Sequence, residues 1–182
     1  MPAYRSKEEV REGFESYDDR FAAMVPDGAK LERHCTGMEW AEGPVYFAQG
    51  DYVLWSDIPN DRVMRWSAAH GCSVYLQPAG YHNGHYLDRQ GRLVSCEHGE
   101  RRISRTEADG TVVTLADRYR GMRLNSPNDL VVKSDGTVWF TDPPYGILTD
   151  REGHQSESEL GANYVFRLDL DSGDLRIVSD EL

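Results

Sequence analysis

Three polar residues stand at the same place in a repeated pattern, and their types suit the binding of a hard cation. Glu42 opens Glu-Gly-Pro-Val-Tyr-Phe, Asn83 opens Asn-Gly-His-Tyr-Leu and Asn128 opens Asn-Asp-Leu-Val-Val. They follow one another at intervals of 41 and 45 residues. One carboxylate and several amide oxygens make an all-oxygen donor set, which suits Ca²⁺ or Mg²⁺ better than a soft metal. A divalent ion so held could polarise an ester carbonyl. Taken singly, either Asn reads as a turn closer before Gly or Asp. The shared register is what argues for a site, most strongly at Glu42.

The elements that must position these residues share one plan. After each comes a strand, a Gly-containing turn and a second strand that ends in an acid: Asp57, Glu97 and Asp142. A second hairpin follows each time, as in Arg62-Val-Met-Arg-Trp leading through His70-Gly71 to Ser73-Val-Tyr-Leu. Two hairpins make four antiparallel strands, and a period in the low forties matches a propeller blade. The expected fold is therefore an all-β protein, a β-propeller of three four-stranded blades at about 40–78, 81–117 and 126–180, within a domain spanning 29–182. A β-sandwich would explain the short strands but not three registered copies. Residues 1–28 read as a helical and loop extension, with a capping box at Ser6-Lys7-Glu8-Glu9 opening a short N-terminal helix. In a propeller the first strand of each blade lines the central channel, so Glu42, Asn83 and Asn128 would converge at its rim.

Composition narrows the partners. The 182 residues are 39% apolar with a net charge of −11. That acidity argues against nucleic acid and anionic membrane. No apolar run reaches the length of a membrane span, and the first residues lack the apolar core of a signal peptide, so a cytoplasmic location is expected. Cys35, Cys72 and Cys96 form no Cys-x-x-Cys pair and read as reduced thiols.

Several strings resemble the gluconolactonase and regucalcin family. Glu42-Gly-Pro-Val with Trp55-Ser-Asp-Ile is similar to its opening blade. Gly91-Arg-Leu-Val-Ser-Cys-Glu-His-Gly99, Leu124-Asn-Ser-Pro-Asn-Asp-Leu130 and Trp139-Phe-Thr-Asp-Pro-Pro-Tyr-Gly-Ile147 resemble its bacterial gluconolactonase branch. The resemblance runs from about Leu31 to Leu182. It implies six blades around a divalent ion, Ca²⁺ first, with Zn²⁺, Mg²⁺ or Mn²⁺ as alternatives. It implies a small-molecule sugar lactone as substrate. Glu42 matches the family's first metal ligand, and Asn128 matches an Asn that contacts metal or substrate. Asn83, His98, Asp142 and Tyr145 lie in motifs near the channel and are expected to bind substrate. The family's Pro-Asn-Gly and Pro-Asp-Gly motifs, which complete its metal site and supply its usual general base, do not occur after Asn128. The expectation is thus the N-terminal half of a lactonase, truncated and weak or inactive alone, with a homodimer as one way to complete the ring. A non-catalytic binding scaffold and a Ca²⁺-dependent phosphotriesterase are the alternatives.

Overall fold

The structure, a computed structural model, describes residues 19–22, 24 and 30–181. Two compact units are present, Met1–Thr36 and Gly37–Leu182. In the first, Asp19–Ala22 forms a short helix, α1. The helix expected after Ser6 lies outside the described residues. Residues 31–35 form no strand.

The second unit is built from antiparallel sheets. Strands β1 (Ala41–Phe47), β2 (Tyr52–Asp57), β3 (Arg62–Ser67) and β4 (Gly71–Leu76) form sheet 1 in that order. Strands β5 (His82–Leu87), β6 (Leu93–Glu97), β7 (Arg102–Thr106) and β8 (Val112–Ala116) form sheet 2. A small hairpin, β9 (Arg118–Tyr119) with β10 (Met122–Arg123), leads on to sheet 3. Sheet 3 contains β11 (Leu130–Val132), β12 (Val138–Asp142), β13 (Tyr164–Leu168) and β14 (Leu175–Ser179), with a one-turn helix α2 (Tyr145–Leu148) between β12 and β13. The architecture is all-β and propeller-like, and each of the three sequence repeats is one four-stranded meander. β5 lies between β1 and β11, so the first strands of the three sheets are neighbours.

The sheets stack face to face through a repeated set of positions. Leu54 and Val63 of sheet 1 pack with Ala79 and Leu93. One sheet further on, Val94, Cys96 and Ile103 of sheet 2 pack with Val138, Phe140, Phe166 and Leu168 of sheet 3. Side chains alternate across a strand, so β6 sends Leu93 back toward sheet 1 and Val94 forward toward sheet 3. Each fully buried aliphatic or aromatic side chain here contributes about 1.5–3 kcal/mol. This stacking fixes where the heads of β1, β5 and β11 lie. Among the described residues no helix is long and apolar enough to cross a membrane. Cys96 is free and buried, whereas Cys35 and Cys72 are disulfide-bonded; this corrects the expectation of three reduced thiols, which rested on spacing alone.

Candidate functional site

The heads of the first strands meet at one rim, and glycine lets them do so. Gly43 has φ +57°, and a Cβ there would fall 2.7 Å from the Gly84 Cα. A Cβ at Gly84 would fall 2.7 Å from the Asn128 carbonyl oxygen. Neither backbone could come so close past a side chain. The contact is a bonded one, since Gly84 N–H donates to the Asn128 carbonyl at 2.8 Å. Glu42, Asn83 and Asn128, each one residue before the point of closest approach, are thereby brought together.

Asn83 is the centre of the rim network. Its Nδ2 donates to Asn128 Oδ1 at 2.6 Å and approaches His98 Nε2 at 3.1 Å. His98 Nδ1 lies 2.8 Å from the Glu152 carbonyl, which can only accept. That assigns the proton to Nδ1 and leaves Nε2 to accept from Asn83. Burial holds the His98 pKa below its ordinary value, against an upward pull from the Glu152 carbonyl. His98 is therefore a neutral ring, almost wholly buried, whose two nitrogens are both used within the protein. It orients the Asn83 amide rather than meeting a ligand itself. Asn83 is buried too, Asn128 is half-buried, and Glu42 and Tyr145 are exposed.

A second histidine braces the network from below. His85 lies between Ser56 Oγ and Ser95 Oγ, 2.9 Å from each, and Ser56 Oγ donates to the Asn83 carbonyl at 2.8 Å. Ser56 therefore accepts from Nε2–H, and Nδ1 accepts from Ser95. Burial, with the neighbouring His82 adding to it, pushes the His85 pKa down to about 3. The Ser–His–Ser chain is neutral and enclosed, so it serves to hold the Asn83 backbone and not as a nucleophile.

The acids that end the second strands act beneath the rim. Asp57 Oδ1 accepts from the backbone of Glu39 and Trp40, the residues three and two before Glu42. Asp142 Oδ2 accepts from the backbone of Asn125, three before Asn128, at 2.8 Å. In sheet 2, Glu97 pairs with His82, one before Asn83, at 3.4 Å. Each carboxylate thus ties down the segment that leads into the rim residue of its own sheet. The structure places Asp142 under the rim and fully buried, so it positions Asn128 from behind.

Sequence reasoning missed one carboxylate. Glu152 follows α2, far from any repeat head. Its side chain is largely buried, and its carboxylate is 3.9 Å from His98 Nδ1. Burial raises its pKa, with Arg151 opposing and Glu42 adding to the rise. The charge of Glu42 therefore reaches Glu152 and disfavours ionisation there. Gly146 of α2 brings this loop close, since a Cβ there would clash with the His98 ring. A hint was available in the Pro-Pro-Tyr-Gly turn, but no spacing rule links it to Glu152.

The donors for a metal are right in kind and few in number. Glu42 and the Asn128 amide oxygen are hard oxygens, and the rise that Glu42 causes in the Glu152 pKa is what a nearby cation would offset. Among the described residues, however, no three His, Cys, Asp or Glu side chains form a group that could hold a metal.

Comparison with known proteins agrees with the fold. The family model described as the SMP-30/gluconolactonase/LRE-like region matches residues 40–182. A gluconolactonase of Zymomonas mobilis is 31% identical over 169 residues, which are 85% of this chain and 47% of that protein. A Xanthomonas campestris gluconolactonase structure is 42% identical with a TM-score of 0.75, covering 79% of this chain and 48% of that one. A structural-genomics target provisionally named a gluconolactonase is 39% identical with a TM-score of 0.85, covering 91% of this chain and 57% of that one. A calcium-binding regucalcin from Agrobacterium tumefaciens has a TM-score of 0.58 at 15% identity, a likeness of fold alone. The chain spans about half the length of these relatives.

Proposed function

We propose that this chain, which belongs to the SMP-30/gluconolactonase/LRE-like family, forms one side of a metal-dependent site that hydrolyses a sugar lactone. The observation that carries the reading is the convergence of Glu42, Asn83 and Asn128 at one rim, locked by the Asn83–Asn128 bond of 2.6 Å. Glu42 and Asn128 would hold a divalent cation, with Ca²⁺ the best fit to their oxygens; when bound, it would act as a Lewis acid on the lactone carbonyl. The chain's own residues do the rest of the work at this wall. Asn83 has its Nδ2 committed to His98 and Asn128, which leaves its Oδ1 to accept from a sugar hydroxyl. The amide nitrogen of Asn128 can donate to another. Exposed Tyr145 opens α2, whose Gly146 packs against the His98 ring, and offers a further hydroxyl contact. Glu152 is a candidate general base, because a carboxylate whose pKa is raised accepts a proton more readily near neutral pH.

The test is acid release from gluconolactone, followed with and without Ca²⁺. The expected result is a Ca²⁺-stimulated rate that falls at least about tenfold in Glu42→Gln. An unchanged rate in that variant removes Glu42 from the site. A scaffold without catalysis is the second reading, and the small number of anionic donors favours it. Calorimetric titration separates the two: heat of Ca²⁺ binding that disappears in Glu42→Gln supports the metal site, and no heat with the parent chain supports the scaffold.

A further inference from the structure

The two interfaces between the sheets are filled to different extents, and the connections explain why. Between sheets 2 and 3 the connection is long, with residues 117–129 separating β8 from β11. It sends Leu124 into the core and lays Tyr119 against Phe166, with ring centroids 5.3 Å apart. Between sheets 1 and 2 the connection is short, with residues 77–81 separating β4 from β5. Of these, Ala79 alone joins the core. Asp61 pins the segment, its Oδ1 accepting from the Ala79 N–H at 3.1 Å and from the Tyr81 N–H at 2.7 Å. What the short connection leaves unfilled is a cleft of about 600 Å³. Sheet 1 and the connection give it Tyr75, Leu76 and Pro78, and sheet 2 gives it Leu93 and Val112. Tyr75, Leu76 and Val112 are 42–49% exposed, so the apolar lining is open to a ligand.

The polar lining of the cleft includes His82, Glu97, Glu100 and Arg102. His82 and Glu97 are each more than nine-tenths buried. Glu97 accepts from Arg102 Nε at 2.8 Å and from Nη2 at 3.1 Å, and it lies 3.4 Å from His82 Nε2. A carboxylate only accepts, so the His82 hydrogen belongs on Nε2 and Nδ1 is left to accept. That Nδ1 is buried and has no hydrogen-bond partner. Glu100 is exposed, and its carboxylate enters no ion pair among the described residues. Arg102 offsets Glu97, which leaves the charge of Glu100 uncompensated.

We propose that this cleft binds a hydrophobic amine, an ammonium carried on an aryl or alkyl tail. The tail lies against Tyr75, Leu76, Pro78 and Val112, and the ammonium donates to His82 Nδ1 and to the Glu100 carboxylate. Both open polar positions are acceptors, and an ammonium has three donors and no acceptor. An anion would meet two carboxylates and a lone pair. A cleft of this size, apolar with a few polar groups, is of the kind that takes a small molecule. The proposal does not rest on the lactone reading.

Amide NMR spectra of the isotope-labelled full chain, titrated with phenethylammonium, test it directly. The expected result is a set of saturating shifts centred on residues 75–82 and 110–112, which line or adjoin the cleft. Methylammonium has the charge without the tail, and hydrocinnamate has the tail with the opposite charge. Each is expected to bind at least about tenfold more weakly. Val112→Lys puts a like charge at an exposed position on the wall and should weaken phenethylammonium at least about tenfold. Circular dichroism verifies that this variant is folded. Glu100→Gln, at an exposed position, serves if it is not, with an expected loss of about threefold. Shifts that fail to saturate, that map away from the cleft, or that methylammonium or hydrocinnamate reproduces at the same concentration would each overturn the proposal. So would a folded Val112→Lys that binds phenethylammonium as the parent chain does.

Discussion

Sheets 1 and 3 carry the same acid at the same place, and the two acids behave in opposite ways. Asp57 and Asp142 both end the second strand, both are fully buried, and both hold the segment leading to a rim residue. For Asp57, burial is the largest single influence and pulls its pKa up, but bonds from Trp40, Arg62, Asn60 and Glu39 outweigh it and the pKa is lowered. For Asp142, burial wins and the pKa rises to about 7, against weaker pulls from the Asn125 and Ser126 backbone and from Arg101. The residue across the ladder makes the difference: Arg62 faces Asp57, whereas Tyr164 faces Asp142. Asp142 Oδ1 is left with no hydrogen-bond partner, and so is Arg101 Nη2. A conserved geometry of backbone and acid therefore does not fix a conserved charge; the neighbour that compensates the burial does.

The strongest way to break this comparison is to remove the compensated acid. Asp57→Ala leaves Arg62 and two backbone N–H groups without their acceptor, and should cost about 3 kcal/mol. In a chain of this size that lowers Tm by roughly 10 °C, measured by thermal unfolding monitored by circular dichroism. A change within a degree or two would show that the anchor carries no stability. The same acid has a pH signature. Its folded pKa lies below its ordinary 3.8, so its contribution is present above about pH 4 and is lost as the pH falls through the folded value.

Asp142→Asn should give a smaller effect with the opposite pH dependence. Here the folded pKa of about 7 lies above the ordinary 3.8. The neutral acid is favoured in the fold, so its contribution is full below about pH 4 and declines as the pH rises to about 7. Urea midpoints at pH 5 and pH 8 should show the parent chain losing on the order of 2 kcal/mol relative to Asp142→Asn. A difference that does not vary with pH would mean that Asp142 is ionised throughout. Tyr164→Arg is the sharpest and smallest test. It places in sheet 3 the arginine that sheet 1 already has, and should abolish most of the pH 5 to 8 decline. The expected cost is about 1 kcal/mol from the packing that Tyr164 makes with Phe166.

Thiol reactivity offers an independent check on the covalent structure. With Cys35 and Cys72 bonded and Cys96 enclosed, the folded chain should react slowly with a thiol reagent, and the chain denatured without reductant should release a single equivalent. Three equivalents would restore the reduced state expected from the spacing.

Much of the architecture was legible before any coordinates. The repeats headed by Glu42, Asn83 and Asn128 are the three meanders, because strand period and Gly turn chemistry act over about ten residues. The rim convergence followed from the same register. The roles beneath it did not. His98 was read as a group that could touch a sugar, yet both its nitrogens are spent on Asn83 and Glu152. Glu152 itself carried no motif, and its closeness to Glu42 depends on a loop more than a hundred residues away along the chain.

The sequence by itself determined the strand pattern, the turn positions, the family and the residues at the strand heads. Each of these depends on local conformational preference or on an uninterrupted string of residues. Only the tertiary structure decided which polar groups are spent on one another, which acid keeps its proton near neutral pH, and which apolar faces lack a cover. Those outcomes depend on desolvation and on partners brought together by sheet stacking, and neither is a property of any short stretch of chain.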